Sequence, residues 1–99
     1  MKTEAILNLD PVIHAPVRLA VLSVLIMAEE ADFNYLKEAT ATTDGNLSTH
    51  LNKLEEAGLI TIRKTFRGKK PHTTCRLTVK GRKAFNRYID QLEQIIHGK

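Results

Sequence analysis

Asn46-Leu47-Ser48-Thr49-His50-Leu51-Asn52-Lys53-Leu54-Glu55-Glu56-Ala57-Gly58-Leu59-Ile60 reads as a helix carrying its own stop signal. Leu47, Leu51 and Leu54 recur at i, i+4 and i+7, which places one apolar stripe along a helical face. Opposite that stripe stand Gly45, Asn46, Ser48, Thr49, Asn52 and Lys53, all small or polar. Thr43 suits the N-cap, because its hydroxyl can accept a first-turn N–H. Asp44 then sits favourably near the positive end of the helix dipole. Gly58 provides a left-handed cap at the far end. The expected helix spans residues 43–57.

Directly behind this helix the acidic residues stop. From Ala57 to Ile89 the chain holds Arg63, Lys64, Arg67, Lys69, Lys70, Arg76, Lys80, Arg82, Lys83 and Arg87 and no Asp or Glu. The net charge of +4 and a pI near 9.4 are only mildly basic, so the segregation of charge is more informative than its sum. Ile60, Ile62 and Phe66 alternate with Thr61, Arg63, Thr65 and Arg67, a strand pattern interrupted by Lys64 on the apolar side. Arg67-Gly68-Lys69-Lys70-Pro71-His72 supplies turn residues, and Thr73 to Leu77 reads as the returning strand. Residues 60–77 therefore form a basic hairpin, suited to holding a polyanion.

Working outward, Asp10-Pro11 and Ala15-Pro16 place prolines where helices can begin. A helix from Pro16 to Ala28 follows. Its face of Val17, Ala20, Val21, Val24, Leu25 and Ala28 is widened by Leu19, Leu22, Ile26 and Met27, as expected of a helix that is central or covered by a partner. Glu29-Glu30-Ala31-Asp32 reads as a polar connection, and Phe33 and Leu36 anchor a short helix ending at Thr40. Thr78 caps a last helix, 78–97, in which Phe85, Tyr88, Leu92 and Ile95 follow 3,4,3 spacing beside Ile89 and Ile96. That seam of Phe85, Tyr88, Ile89, Leu92, Ile95 and Ile96 is the expected dimer interface, since so short a chain has little with which to cover both it and the wide first helix. The 99 residues are expected to form a single domain, with 1–15 as an N-terminal extension.

Several function classes are disfavoured. The only cysteine, Cys75, excludes an internal disulfide, and as a strand residue it reads as small packed core. The four histidines and Cys75 lack metal-ligand spacing, so neither a metal nor another cofactor is expected. No Gly-rich phosphate loop, nucleophile motif or catalytic carboxylate pair is present, and no enzyme is expected. Glu29-Glu30 and Glu55-Glu56 read as polar helix faces. The longest apolar stretch, residues 17–28, contains Arg18 and Ser23 and falls short of the roughly 20 residues a bilayer requires. A membrane partner is not expected, and the cytoplasm is the expected compartment.

The helix with its exit, Asn46 to Ile60, and the later Arg67-Gly68-Lys69-Lys70-Pro71-His72-Thr73-Thr74-Cys75-Arg76-Leu77-Thr78-Val79-Lys80-Gly81-Arg82 together resemble the winged helix-turn-helix transcriptional regulators of the MarR and ArsR type, in their short stand-alone form. The likeness runs from about Asp10 to Ile96. It implies a mainly α fold with a small β-hairpin wing: a three-helix core, a two-stranded wing and a C-terminal dimerisation helix. Two departures stand out. The Cys-x-Cys pair of ArsR-type metal sensors is absent, and Cys75 and Thr42 replace an aromatic and an apolar residue common in relatives.

The resemblance further implies a homodimeric, sequence-specific double-stranded-DNA-binding regulator, a repressor reading a pseudopalindromic operator. On that basis Asn46, Thr49 and Asn52 are candidates for base edges in the major groove, with Ser48, His50 and Lys53 on the flanks for phosphates. Arg63, Arg67, Lys69, Lys70 and His72 would run along the minor groove or its backbone, and Lys80 and Arg82 could reach the backbone as well. Relatives respond to small ligands held between the helix-turn-helix and the dimer helices. Here little remains to build such a pocket, so a small-molecule effector is expected only at an interface. The alternative reading is a winged helix reused as a protein-interaction or assembly module, against which the basic wing argues.

Overall fold

The computed structural model describes residues 3–98. Along the chain these form α1 (Thr3–Leu7), α2 (Pro16–Ala28), β1 (Glu30–Asp32), α3 (Phe33–Thr40), α4 (Asp44–Glu56), β2 (Ile60–Arg67), β3 (Lys70–Leu77) and α5 (Val79–His97). α2 is the central element and packs against α3, α4, α5, β1 and β3. Its Val21, Leu22 and Leu25 are fully buried, while Met27 is exposed. The width of its apolar surface is thus largely used within one chain.

Local chemistry sets the ends of the helices. Asp32 caps α3 by accepting from the Tyr35 amide at 2.7 Å, and Thr43 caps α4 through the Asn46 amide at 3.2 Å. Behind α4, Gly58 has φ of 79°. The Leu59 amide returns to the Leu54 carbonyl and the Gly58 amide to the Glu55 carbonyl, a Schellman closure that needs the left-handed glycine. Leu47, Leu51 and Leu54 of α4 are buried with Leu36, Leu59 and Ile60. Burying each such leucine contributes about 1.5–3 kcal/mol.

Four expectations are revised by the fold. First, the polar connection after α2 contains a strand: β1 pairs antiparallel with β3, Ala31 opposite Cys75, giving a three-stranded sheet of order β1-β3-β2. Three residues are too few to display an alternation in sequence. Second, the turn of the hairpin is only Gly68-Lys69, with Arg67 paired to Lys70. Gly68 has φ of 62° and stands first in the turn, a favoured arrangement for a two-residue hairpin. The returning strand therefore begins at Lys70 and includes Pro71, which is tolerated where its missing N–H faces away from a partner strand.

Third, the described part of the N-terminal segment, from α1 onward, is built into the fold. Leu9 and Ile13 are buried, and α1 packs on α5. Fourth, Phe85 and Tyr88, expected at a dimer seam, are only 8% and 2% exposed within a single chain. They belong to the protomer core and leave little surface for a partner. Of the expected seam, Ile89, Leu92 and Ile95 are half-buried against the same core and Ile96 is exposed.

Candidate nucleic-acid interface

The hairpin has two unlike faces. Ile60, Ile62, Lys64 and Phe66 alternate to one side, opposite Leu77, Cys75, Thr73 and Pro71 of β3; Thr61, Arg63, Thr65 and Arg67 take the other, opposite Arg76, Thr74, His72 and Lys70. The first side faces α4. There Phe33 of α3, Asp44, Ser48, Leu51 and Asn52 of α4, Ile62 and Lys64 of β2, and Thr73 of β3 line a groove of about 340 Å³. On the outer side a smaller hollow is formed by Glu30, Thr61, Arg63, Thr74 and Arg76.

Each expected contact residue can now be placed. Ser48 and Asn52 lie on the flank of α4 that meets the wing. At 100° per residue, Gly45 and Thr49 fall on the outermost line of the helix, and Asn46, His50 and Lys53 on the far flank. Asn46, Ser48, Thr49, Asn52 and Lys53 are all exposed. The Thr49 hydroxyl donates to the Gly45 carbonyl at 3.0 Å, which leaves its oxygen lone pair and its methyl for an outside partner. Asn46 donates from Nδ2 to the Thr42 hydroxyl at 2.8 Å. Thr42 thereby has a role that an apolar turn residue could not fill.

His50 is half-buried, and its ring lies within 3.1 Å of the Arg18 guanidinium through Nδ1. Burial, followed by the charges of Arg18 and Lys53, pushes its pKa below the ordinary imidazole value. The same Arg18 donates to the Val12 carbonyl at 2.6 Å and to the Pro11 carbonyl at 3.3 Å. This arginine ties the N-terminal segment to α4, a role that no sequence pattern signalled. His50 consequently faces the protein more than a phosphate.

On the wing, Arg63, Arg67, Lys69 and Lys70 are exposed and His72 is half-buried. Lys64, noted in sequence only as an interruption, is the basic residue that shares the groove with α4. Its position on the apolar side of the alternation was the available signal. Two acids near the groove are internally engaged. Asp44 pairs with Lys37 at 2.7 Å, and Glu55, expected as a polar helix face, accepts from the Ile62 amide at 2.9 Å and so pins the base of β2 to α4.

Elsewhere, Cys75 is fully buried and its thiol is pushed up to about 11 by burial and by Glu55. His14 lies with Nδ1 at 2.7 Å from the Tyr88 hydroxyl. Among the described residues, no group of three or more His, Cys, Asp or Glu is placed to hold a metal ion, and no helix is long and apolar enough to cross a membrane.

Residues 17–96 match the model of the winged helix DNA-binding domain. An uncharacterised protein of Methanocaldococcus jannaschii is 40% identical over 84 residues, which cover 85% of this chain and 91% of that protein. A transcriptional regulator homologue from Pyrococcus horikoshii is similar in structure, with a TM-score of 0.88 at 26% identity and 97% of each chain covered. A MarR-family regulator from Silicibacter pomeroyi shares the fold at a TM-score of 0.64 and 19% identity, covering 80% of this chain and 52% of that one. An ArsR-family regulator does so at 0.59 and 18%, covering 100% and 97%.

Proposed function

This chain belongs to the winged helix DNA-binding domain family, and from that premise we propose that it is a homodimeric, sequence-specific regulator of transcription that represses by occupying a pseudopalindromic operator. One observation carries the reading: the polar flank of α4 and the inner face of a basic ribbon border a common groove. A helix of this width fits a major groove, and the ribbon beside it can follow the backbone into the adjacent minor groove. Thr49 and Asn52, with Asn46 beside them, are proposed for base edges. Ser48, Lys53, Arg63, Lys64, Arg67, Lys69 and Lys70 are proposed for the backbone, with His50 and His72 in supporting positions.

The dimer is proposed to form through α1 and the C-terminal half of α5. Leu7 and Ile96 are 82% and 68% exposed there, beside half-buried Ile89, Leu92 and Ile95. Two copies related by a twofold axis would present two α4 helices, which is the reason to expect an inverted repeat.

The test is selection of bound duplexes from a randomised pool, followed by a salt titration of the best binder. An enriched inverted repeat is expected. If the dimer engages six to ten phosphates, log K falls with log salt at a slope of roughly −5 to −9. Failure to retain any duplex would refute the reading and favour a protein-interaction module.

A further inference from the structure

We propose that Phe66, backed by Pro71, is a wedge that enters the minor groove beside each half-site and partly unstacks one base step. This rests on the DNA-binding reading above and adds to it a deformation of the DNA. Phe66 is 72% exposed, at the end of a ribbon whose apolar packing stops at Ile62 and Cys75. A large aromatic at that position adds nothing to the core. Its register partner is Pro71, so the two side chains stand side by side as an apolar tip.

The tip is aimed by the pleat. Phe66 and Pro71 lie on the same face of the ribbon as Lys64 and Thr73, the face that borders α4. They stand two residues farther out, about 7 Å along the strands. Whatever lies against the outward side of α4 therefore meets this apolar pair next. Charge complementarity names that occupant. Lys64 shares the face of the tip, Lys69 follows in the turn, and Arg63, Arg67 and Lys70 stand on the opposite face of the same ribbon, with no acidic residue in either strand. An apolar pair on one face of a ribbon whose turn and other face carry cations suits the minor groove of a duplex, where the cations hold the phosphate backbones on either side and the ring and the proline meet the sugars and base edges. Phe and Pro are among the side chains that unstack base steps from the minor groove. Pyrimidine–purine steps open most readily, so the wedge selects TA or CA/TG at a position that makes no base hydrogen bond.

The experiment uses the duplex recovered by selection, with 2-aminopurine substituted in turn at each adenine flanking the α4 contacts. Binding of the full chain is expected to raise 2-aminopurine fluorescence severalfold at one step per half-site. Phe66→Ala is expected to abolish that rise and weaken affinity about tenfold, with the salt slope unchanged because no charge is removed. Phe66→Leu is expected to retain part of the signal. Because the side chain is exposed, circular dichroism of both variants should match that of the parent. Tight, salt-dependent duplex binding with no brightening at any flanking step, or brightening that survives Phe66→Ala, would overturn the wedge and leave the DNA-binding reading intact. Absence of duplex binding by the parent would overturn both. Stronger, Phe66-dependent binding to a thymidine oligonucleotide than to the duplex would replace the wedge by stacking on single strands.

Discussion

At the scale of single residues, Cys75 illustrates how packing decides chemistry. Its place in β3, opposite Ile62 on one side and Ala31 on the other, removes the sulfur from water, and burial and Glu55 raise its pKa to about 11. The thiolate is the reactive form, so this thiol stays protonated at neutral pH. We expect iodoacetamide at pH 8 to leave Cys75 unmodified in the folded protein and to alkylate it fully in guanidinium; rapid native-state labelling, followed by mass spectrometry, would contradict its burial. The sign for stability is equally definite. A thiol with a folded pKa above its unfolded value loses its contribution as pH rises from about 9 towards about 11. His50 works in the opposite sense: its lowered pKa makes it a contributor above the ordinary imidazole pKa that is lost as pH falls through the lower folded value.

At the scale of elements, two glycines on helices separate local from tertiary demands. A Cβ built on Gly81, in the first turn of α5, would meet the Leu59 carbonyl oxygen at 2.0 Å and Leu77 Cδ1 at 2.9 Å. This glycine lets α5 lie against the exit of α4, where Thr78 donates to the Gly58 carbonyl at 2.7 Å and accepts from the Gly81 amide at 2.9 Å. Gly45 in α4 has nothing within 4 Å of its built Cβ. The same substitution should therefore act with opposite sign. Gly81→Ala is expected to destabilise by about 1–3 kcal/mol or more, since backbone must move. Gly45→Ala is expected to stabilise by up to about 1 kcal/mol through helix propensity. Thermal unfolding decides, and a neutral Gly81→Ala would mean that α5 does not pack as described.

For the whole molecule, the extents of 53 × 25 × 21 Å describe a body about twice as long as it is wide. The exposed apolar residues of that body are unevenly placed. Leu7 on α1 and Ile96 on α5 remain exposed, while Phe85 and Tyr88 are already used within the protomer. An assembly variant should avoid the protomer core, and Leu7→Glu with Ile96→Glu does so. We expect the double variant to sediment as a monomer with unchanged circular dichroism. Operator affinity should fall by at least about a hundredfold, because the two half-sites no longer share one binding event. A dimeric double variant would move the interface elsewhere, with the exposed Met27 on α2 the next place to look.

The amino-acid sequence by itself determined whatever depends on the local period of the backbone and on chain order. The leucine stripe of α4, its Thr43 cap and Gly58 exit, the alternation of β2, the cap at Thr78 and the segregation of charge could all be read directly, because neighbours along a helix or strand are set by geometry alone. Most of the candidate contact residues follow from those patterns. Tertiary structure decided what depends on which residue lies opposite. The start of β3 at Lys70 rather than Thr73 sets Pro71 against Phe66, and the side of the sheet on which α4 packs turns Lys64 and Phe66 towards the groove. The contact of Arg18 with His50, the strand at β1, the need for glycine at position 81 and the burial of Phe85 and Tyr88 within one chain are of the same kind. Each is a contact between segments distant in sequence. Periodicity shows that a face is apolar, but only packing determines whether the covering surface comes from the same chain or from another.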